Sequence, residues 1–137
     1  MIVLDTNVLS EEIRPLPDAA VHRWIQQQPA GGLFTTAICH AEILLGVALL
    51  PDGRRKVDLA GAAQHIFALF AGRVPPFDSA AAEAYSSIVS HRRQLGRPIN
   101  DFDAQIAAIA RSRGFAVATR NVADFQDAGV ALIDPWK

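Results

Sequence analysis

Short apolar runs alternate with longer stretches of helical periodicity along the whole chain, and this alternation restricts the fold more than any other feature. Residues 2–4, 33–35, 73–75, 116–118 and 131–133 are short segments outside the helical stretches and read as four to five short strands. Residues 7–13, 19–28, 37–50, 57–70, 79–94 and 101–113 carry apolar positions at helical spacing. Asp18, Thr36, Asp78 and Asp101 stand where N-caps belong. Strands that alternate with helices form a mostly parallel sheet covered on both faces. No linker or repeat divides the 137 residues, so one domain over residues 1–137 is expected.

Half the residues are hydrophobic, enough for an ordinary core without staples. Thirteen Lys and Arg nearly balance fourteen Asp and Glu, which excludes a generally basic nucleic-acid coat and leaves any basic patch local. A single cysteine, Cys39, forms no internal disulfide and reads as a buried, inert thiol, in keeping with a reducing cytoplasm. No apolar run approaches the roughly 20 residues of a membrane span, and no basic segment precedes the first apolar run as in a secretory signal. A cytoplasmic location is expected, with no membrane association.

Against this background the acids stand out. Asp5 follows the first strand directly, in Ile2-Val3-Leu4-Asp5-Thr6-Asn7, where the chain leaves the core. In an open parallel sheet, groups just beyond the carboxyl ends of the strands gather in one crevice. Glu42 shares a helical stripe with Ile38, Leu45 and Leu49, the stripe expected to face the sheet, and Asp103 heads the stripe of Ala107, Ala110 and the neighbouring Ile106. Each acid has a structural use open to it: Asp5 as an N-cap, Glu42 as an ion-pair partner, Asp103 as a first-turn residue favoured by the helix dipole. Those uses leave unexplained why all three fall at one edge of one sheet. Two carboxylates about 4 Å apart repel by about 4 kcal/mol at an effective dielectric of about 20, so three together need protons or cations. The histidines show no zinc-like spacing, and an oxygen-only donor set suits a hard ion, Mg²⁺ or Mn²⁺.

Asp5-Thr6-Asn7, Ala41-Glu42 with Leu44 and Gly46, Asp103-Ala104-Gln105-Ile106-Ala107-Ala108, Ala118-Thr119-Arg120-Asn121 and the closing Asp134-Pro135-Trp136 together resemble the PIN-domain family, in particular the VapC-type toxins of toxin–antitoxin pairs that end in Pro-Trp. The resemblance runs from Met1 to Trp136. It implies a three-layer α/β/α sandwich and an Mg²⁺-dependent endoribonuclease, with Mn²⁺ as a substitute ion. Asp5, Glu42 and Asp103 are the implied catalytic acids, with Asp5 and Asp103 holding metal. It also implies a homodimer and a cognate antitoxin whose C-terminal segment fills the active-site groove. The family's fourth acid falls at Asn121, a departure that weakens any second metal, with Asp124 three residues on as a partial substitute or a helix-turn residue. Thr6, Thr119 and Asn7 offer groups that orient carboxylates or phosphate. Arg92, Arg93 and Arg120 are the candidate RNA contacts around an otherwise acidic pocket, with Arg97, Arg111 and Arg113 nearby in the chain. The paired leucines 44–45 and 49–50 supply either the antitoxin's groove or the plain core, with the core as the default for most of them.

Two rival functions belong to other classes. A receiver-type signalling domain has this size and sheet, yet needs a lysine near the last strands, and the only lysines are Lys56 and Lys137. A catalytically weak PIN module that binds RNA or a protein partner is the stronger rival, because of Asn121.

Overall fold

The computed structural model describes residues 1–137. Four short strands, β1 (Ile2–Leu4), β2 (Leu33–Phe34), β3 (Ala116–Ala118) and β4 (Leu132–Ile133), form one sheet in the order β2-β1-β3-β4, and every pairing is parallel. Seven helices complete the α/β fold: α1 (Thr6–Ile13), α2 (Ala19–Gln27), α3 (Ala37–Ala48), α4 (Arg54–Leu69), α5 (Ser79–Gln94), α6 (Asp101–Arg113) and the single-turn α7 (Val122–Phe125). Helices α1 to α4 pack mainly on one another, α5 packs along α6, and α6 also meets β3. Val3, Leu4, Val117 and Ala118 are fully or almost fully buried, so the central strands lie inside the core, as an all-parallel sheet requires. No helix is long and apolar enough to cross a membrane.

Local chemistry accounts for most boundaries. Asp18 accepts from the Ala20 and Val21 amides, Thr36 from Cys39, and Asp78 from Ala81, each satisfying amides that a helix start leaves unpaired. Helix α6 ends at Gly114, whose φ of 70° turns the chain into β3 within two residues. Its start differs from expectation: Asn100 is the N-cap and accepts from Phe102 and Asp103, while Asp101 is the first helical residue and accepts the Tyr85 hydroxyl. Cys39 is fully buried, its thiol pushed up by burial, and donates toward the Leu4 carbonyl.

Two further expectations are corrected. Residues 73–75 are not a strand. Pro75 and Pro76 carry no amide hydrogen for a ladder, and the segment keeps one backbone bond toward β2, from the Thr35 amide to the Arg73 carbonyl at 3.2 Å, while the Arg73 amide turns back to the Phe70 carbonyl at 2.7 Å. Arg73 instead donates its Nε to the Leu33 carbonyl at 2.9 Å, covering the β2 edge. The leucines of α3 are not core: Leu44, Leu45 and Leu49 are 45%, 57% and 75% exposed, and Cys39 and Ile43 make the buried face. Glu42 therefore does not ride an inward stripe. It sits beside Ile43 at the margin between core and solvent.

Candidate active site

Strand register explains why distant residues meet. Leu4 pairs with Ala118 and Ala118 with Ile133, so the next residues along, Asp5, Thr119 and Asp134, emerge side by side at the carboxyl edge of the sheet. The ladder continues into them, because the Asp5 amide donates to the Ala118 carbonyl and the Thr119 amide to that of Ile133, both at 2.9 Å. Helix α1 starts at once behind Asp5, whose Oδ1 accepts from the Thr6 amide at 2.8 Å. The N-cap use and the site position thus coincide in one carboxylate.

A cleft of about 350 Å³ opens at this edge and brings together Asp5, Glu42 and Asp103, with Thr6, Asn7 and Asn121 also in its wall. Asp5 is 4% exposed and its second oxygen, Oδ2, accepts the Thr119 hydroxyl at 2.8 Å. That hydroxyl in turn accepts from the Asn121 amide at 3.0 Å and from the Asn7 side chain at 3.4 Å. Glu42 is held from α1 by the Thr6 hydroxyl, which donates to its Oε1 at 2.7 Å. Asp103 lies in the first turn of α6, half-buried, above Ile106 and Ala107, which are fully buried.

The electrostatics match the geometry. Burial pushes the Asp5 carboxyl up, the Thr119 and Thr6 hydrogen bonds oppose that rise, and the charges of Glu42 and Asp124 add to it. Burial, then the charges of Asp5, Asp124 and Glu42, push Asp103 up to about 7, with Arg92 pulling the other way. Asp124 is absent from the cleft wall, yet close enough for its charge to act on both acids; it is the third residue of α7. The corner lacks positive charge rather than negative. Its donors are carboxylate, hydroxyl and amide oxygens, a chemistry that fits a hard divalent ion. In this conformation the acids are spread around the cleft, with no three of them drawn about a single point.

The cationic candidates separate. Arg120 is exposed and lines the cleft, its amide donating to Asn7 Oδ1 at 3.3 Å. Arg93 is exposed on α5, beside a surface hollow with Tyr85, Ser86, Val89 and Ser90, away from the acids. Arg92 is corrected outright: it is 5% exposed, and its guanidinium donates to the carbonyls of Arg97, Asp124 and Gln126 at 2.7, 2.9 and 2.9 Å. A guanidinium committed to three carbonyls and withdrawn from solvent has no part in RNA contact. Arg97 pairs with Asp127, and Arg113 with Asp78 at 3.3 Å.

The cleft also contains residues that sequence reasoning passed over. Ser10, Glu11 and Arg14 come from α1 and its C-cap; Glu11 is 6% exposed, accepts from the Asp18 amide at 3.3 Å and lies 3.7 Å from Arg14. Its place four residues after Asn7, on the same helix face, was the available signal. Trp136 closes the wall from the C-terminal side.

Thr119→Val tests the hub. The variant is expected to lose about 1–3 kcal/mol, because a buried carboxylate and an amide lose their partner. The Asp5 carboxyl also titrates at higher pH once its strongest lowering contact is gone. Urea denaturation and carboxyl NMR titration read the two effects; a variant unchanged in both removes Thr119 from this role.

A PIN domain model matches residues 2–130. Toxin FitB of Neisseria gonorrhoeae is 42% identical over 137 residues, covering 99% of each chain, and the VapC ribonuclease Y4jK of Sinorhizobium fredii is 40% identical over 138 residues, covering 100% of this chain and 99% of that one. The crystal structure of FitAcB from Neisseria gonorrhoeae superposes with a TM-score of 0.92 at 42% identity, covering 99% of both chains. Register, acid corner and these likenesses agree, and the chain belongs to the PIN-domain family, among its VapC-type members.

Proposed function

We propose that this protein is a metal-dependent endoribonuclease that acts as the toxin of a toxin–antitoxin pair. The observation that carries the reading is the meeting of Asp5, Glu42 and Asp103 in one cleft where Asp103 ionises only near pH 7. Asp5 and Asp103 are the residues to hold Mg²⁺, or Mn²⁺, with Glu42 beside them. When bound, such an ion balances the carboxylates, polarises a phosphate oxygen and makes water more acidic.

The chain's own groups do the rest. Thr119 and the Thr6 amide fix the two oxygens of Asp5, so its remaining lone pairs face the cleft. Thr6 fixes Glu42, leaving its other oxygen to orient and deprotonate a water for in-line attack on phosphorus. Asn121 brings an amide, and Asp124 supplies charge from behind without lining the cleft. Arg120 offers the rim a cation for an RNA phosphate. A groove of about 800 Å³ between α1, α3 and α4 shares Ser10, Arg14 and Glu42 with the cleft and suits the end segment of a cognate antitoxin. The exposed leucines of α3 offer apolar area for a homodimer. Cytoplasmic action is part of the same reading.

The purified chain is expected to cut a single-stranded RNA oligonucleotide in Mg²⁺ or Mn²⁺ and to stop when EDTA is added. The ion also raises the melting temperature, since it binds only the folded form. If neither ion supports cleavage nor raises the melting temperature, the non-catalytic binding module, favoured by Asn121, takes its place.

A further inference from the structure

Trp136 lies in the wall of the acid cleft, yet no chemistry above uses it. Beyond β4, Asp134 accepts from the Trp136 amide at 2.9 Å and its carbonyl accepts from the Lys137 amide at 3.2 Å, so the chain turns sharply around the buried Pro135. Such an Asx turn, with proline fixing its φ, aims the following side chain with little freedom. The indole lands under Arg120, whose guanidinium carbon is 5.0 Å from the ring centroid. Arg120 makes none of the chain's ion pairs, although it shares the cleft with Asp5, Glu42 and Asp103. A flexible arginine beside so much negative charge folds onto it unless something else holds it. The ring does so without neutralising it, because a cation–π contact leaves the guanidinium hydrogens free.

We propose that Trp136 is a positioning residue that keeps Arg120 off the acids and presents it to a phosphate of the bound RNA strand. The proposal rests on the ribonuclease reading. It adds that the C-terminal turn sets substrate affinity through Arg120, while the acids set the chemical step.

The test uses the full chain, a single-stranded RNA oligonucleotide, and the variants Trp136→Ala, Trp136→Phe, Arg120→Ala and the Ala/Ala double. Trp136→Ala is expected to raise KM about three- to tenfold, the loss of one exposed cation–π contact together with the phosphate contact it presents, and to change kcat less than about twofold. Its log–log salt dependence of binding falls by about 0.7, the contribution of one phosphate contact on a single strand. Trp136→Phe restores most of both, since the smaller ring still holds a guanidinium, and the double variant is no worse than Arg120→Ala. Unchanged KM and salt slope in Trp136→Ala, or additive losses in the double variant, overturn the proposal while leaving the nuclease intact. A wild-type chain that neither binds nor cuts RNA overturns the ribonuclease reading and this inference with it. Because Trp136 also packs on the core, Trp136→Phe distinguishes a folding defect from a lost clamp: a stable Phe variant with wild-type melting and the Ala phenotype also overturns it.

Discussion

Asp103→Asn is expected to lose RNA cleavage and to melt higher than the wild-type chain in metal-free buffer at pH 7.5. If Asp103 holds the ion, as proposed, its loss exceeds the roughly 10- to 100-fold cost of removing an outer partner, so at least a hundredfold fall in kcat/KM is expected. The gain in stability has a worked sign. Burial and the neighbouring carboxylates raise Asp103 to about 7 in the folded chain, while an unfolded aspartate ionises near 3.8. Between those values the folded state holds a proton that the unfolded state has lost. Stability conferred by that proton is full below about pH 4 and disappears as pH rises through about 7. Asparagine is neutral at every pH and removes the slope. Solvent screening at a half-buried group leaves about 1 kcal/mol, roughly 3–5 °C in a chain of this size. Melting curves from pH 4 to 8 without metal, with and without the substitution, give the comparison. An Asp103→Asn protein that is both less stable at pH 7.5 and fully active would return Asp103 to an ordinary helix-start residue.

Arg92→Ala is expected to destabilise the chain by about 3–4 kcal/mol, among the larger effects a single substitution produces. Three carbonyls from two segments, the loop after α5 and the end of α7, lose a charged donor in a site closed to water. Those of Asp124 and Gln126 fix α7 against α5, and α7 carries the aspartate whose charge reaches Asp5 and Asp103. Arg92→Lys recovers less than half, since one ammonium cannot reproduce the planar fork. Urea midpoints measure both; a loss below about 1 kcal/mol in Arg92→Ala would refute the structural role. At 4 °C, where the variant stays folded, the salt dependence of RNA binding should match wild type, in contrast to Arg120→Ala.

What the chain's pattern disclosed, and what it hid, follows from the range of the interactions. Asp5 and Asp103 were legible because a strand end and a helix stripe are local features, and Ile106, Ala107 and Ala110 are indeed fully buried. Glu42 reached the cleft for a different reason than the one inferred: Leu45 and Leu49 of its stripe face solvent, and a hydroxyl from α1 holds it in place. Arg92 reads as one more basic residue in His91-Arg92-Arg93 because its partners lie five and over thirty residues away. Residues 73–75 followed a helix as a strand would, yet the missing hydrogen-bond donors of Pro75 and Pro76 decided otherwise. Asp101 lost the cap to Asn100 by one position, a distinction that no periodicity resolves.

The paired ends of β1, β3 and β4 carry a mechanical implication. Asp5 and Thr119, one residue beyond the buried strands β1 and β3, donate their amides to Ala118 and Ile133, the last residues of β3 and β4. Sliding β3 by one residue would turn Thr119 away from Asp5 and force Val117 into the buried space that fits Ala118 in the same movement. The acid corner therefore has no private way to loosen: it keeps its aim until the whole domain gives way.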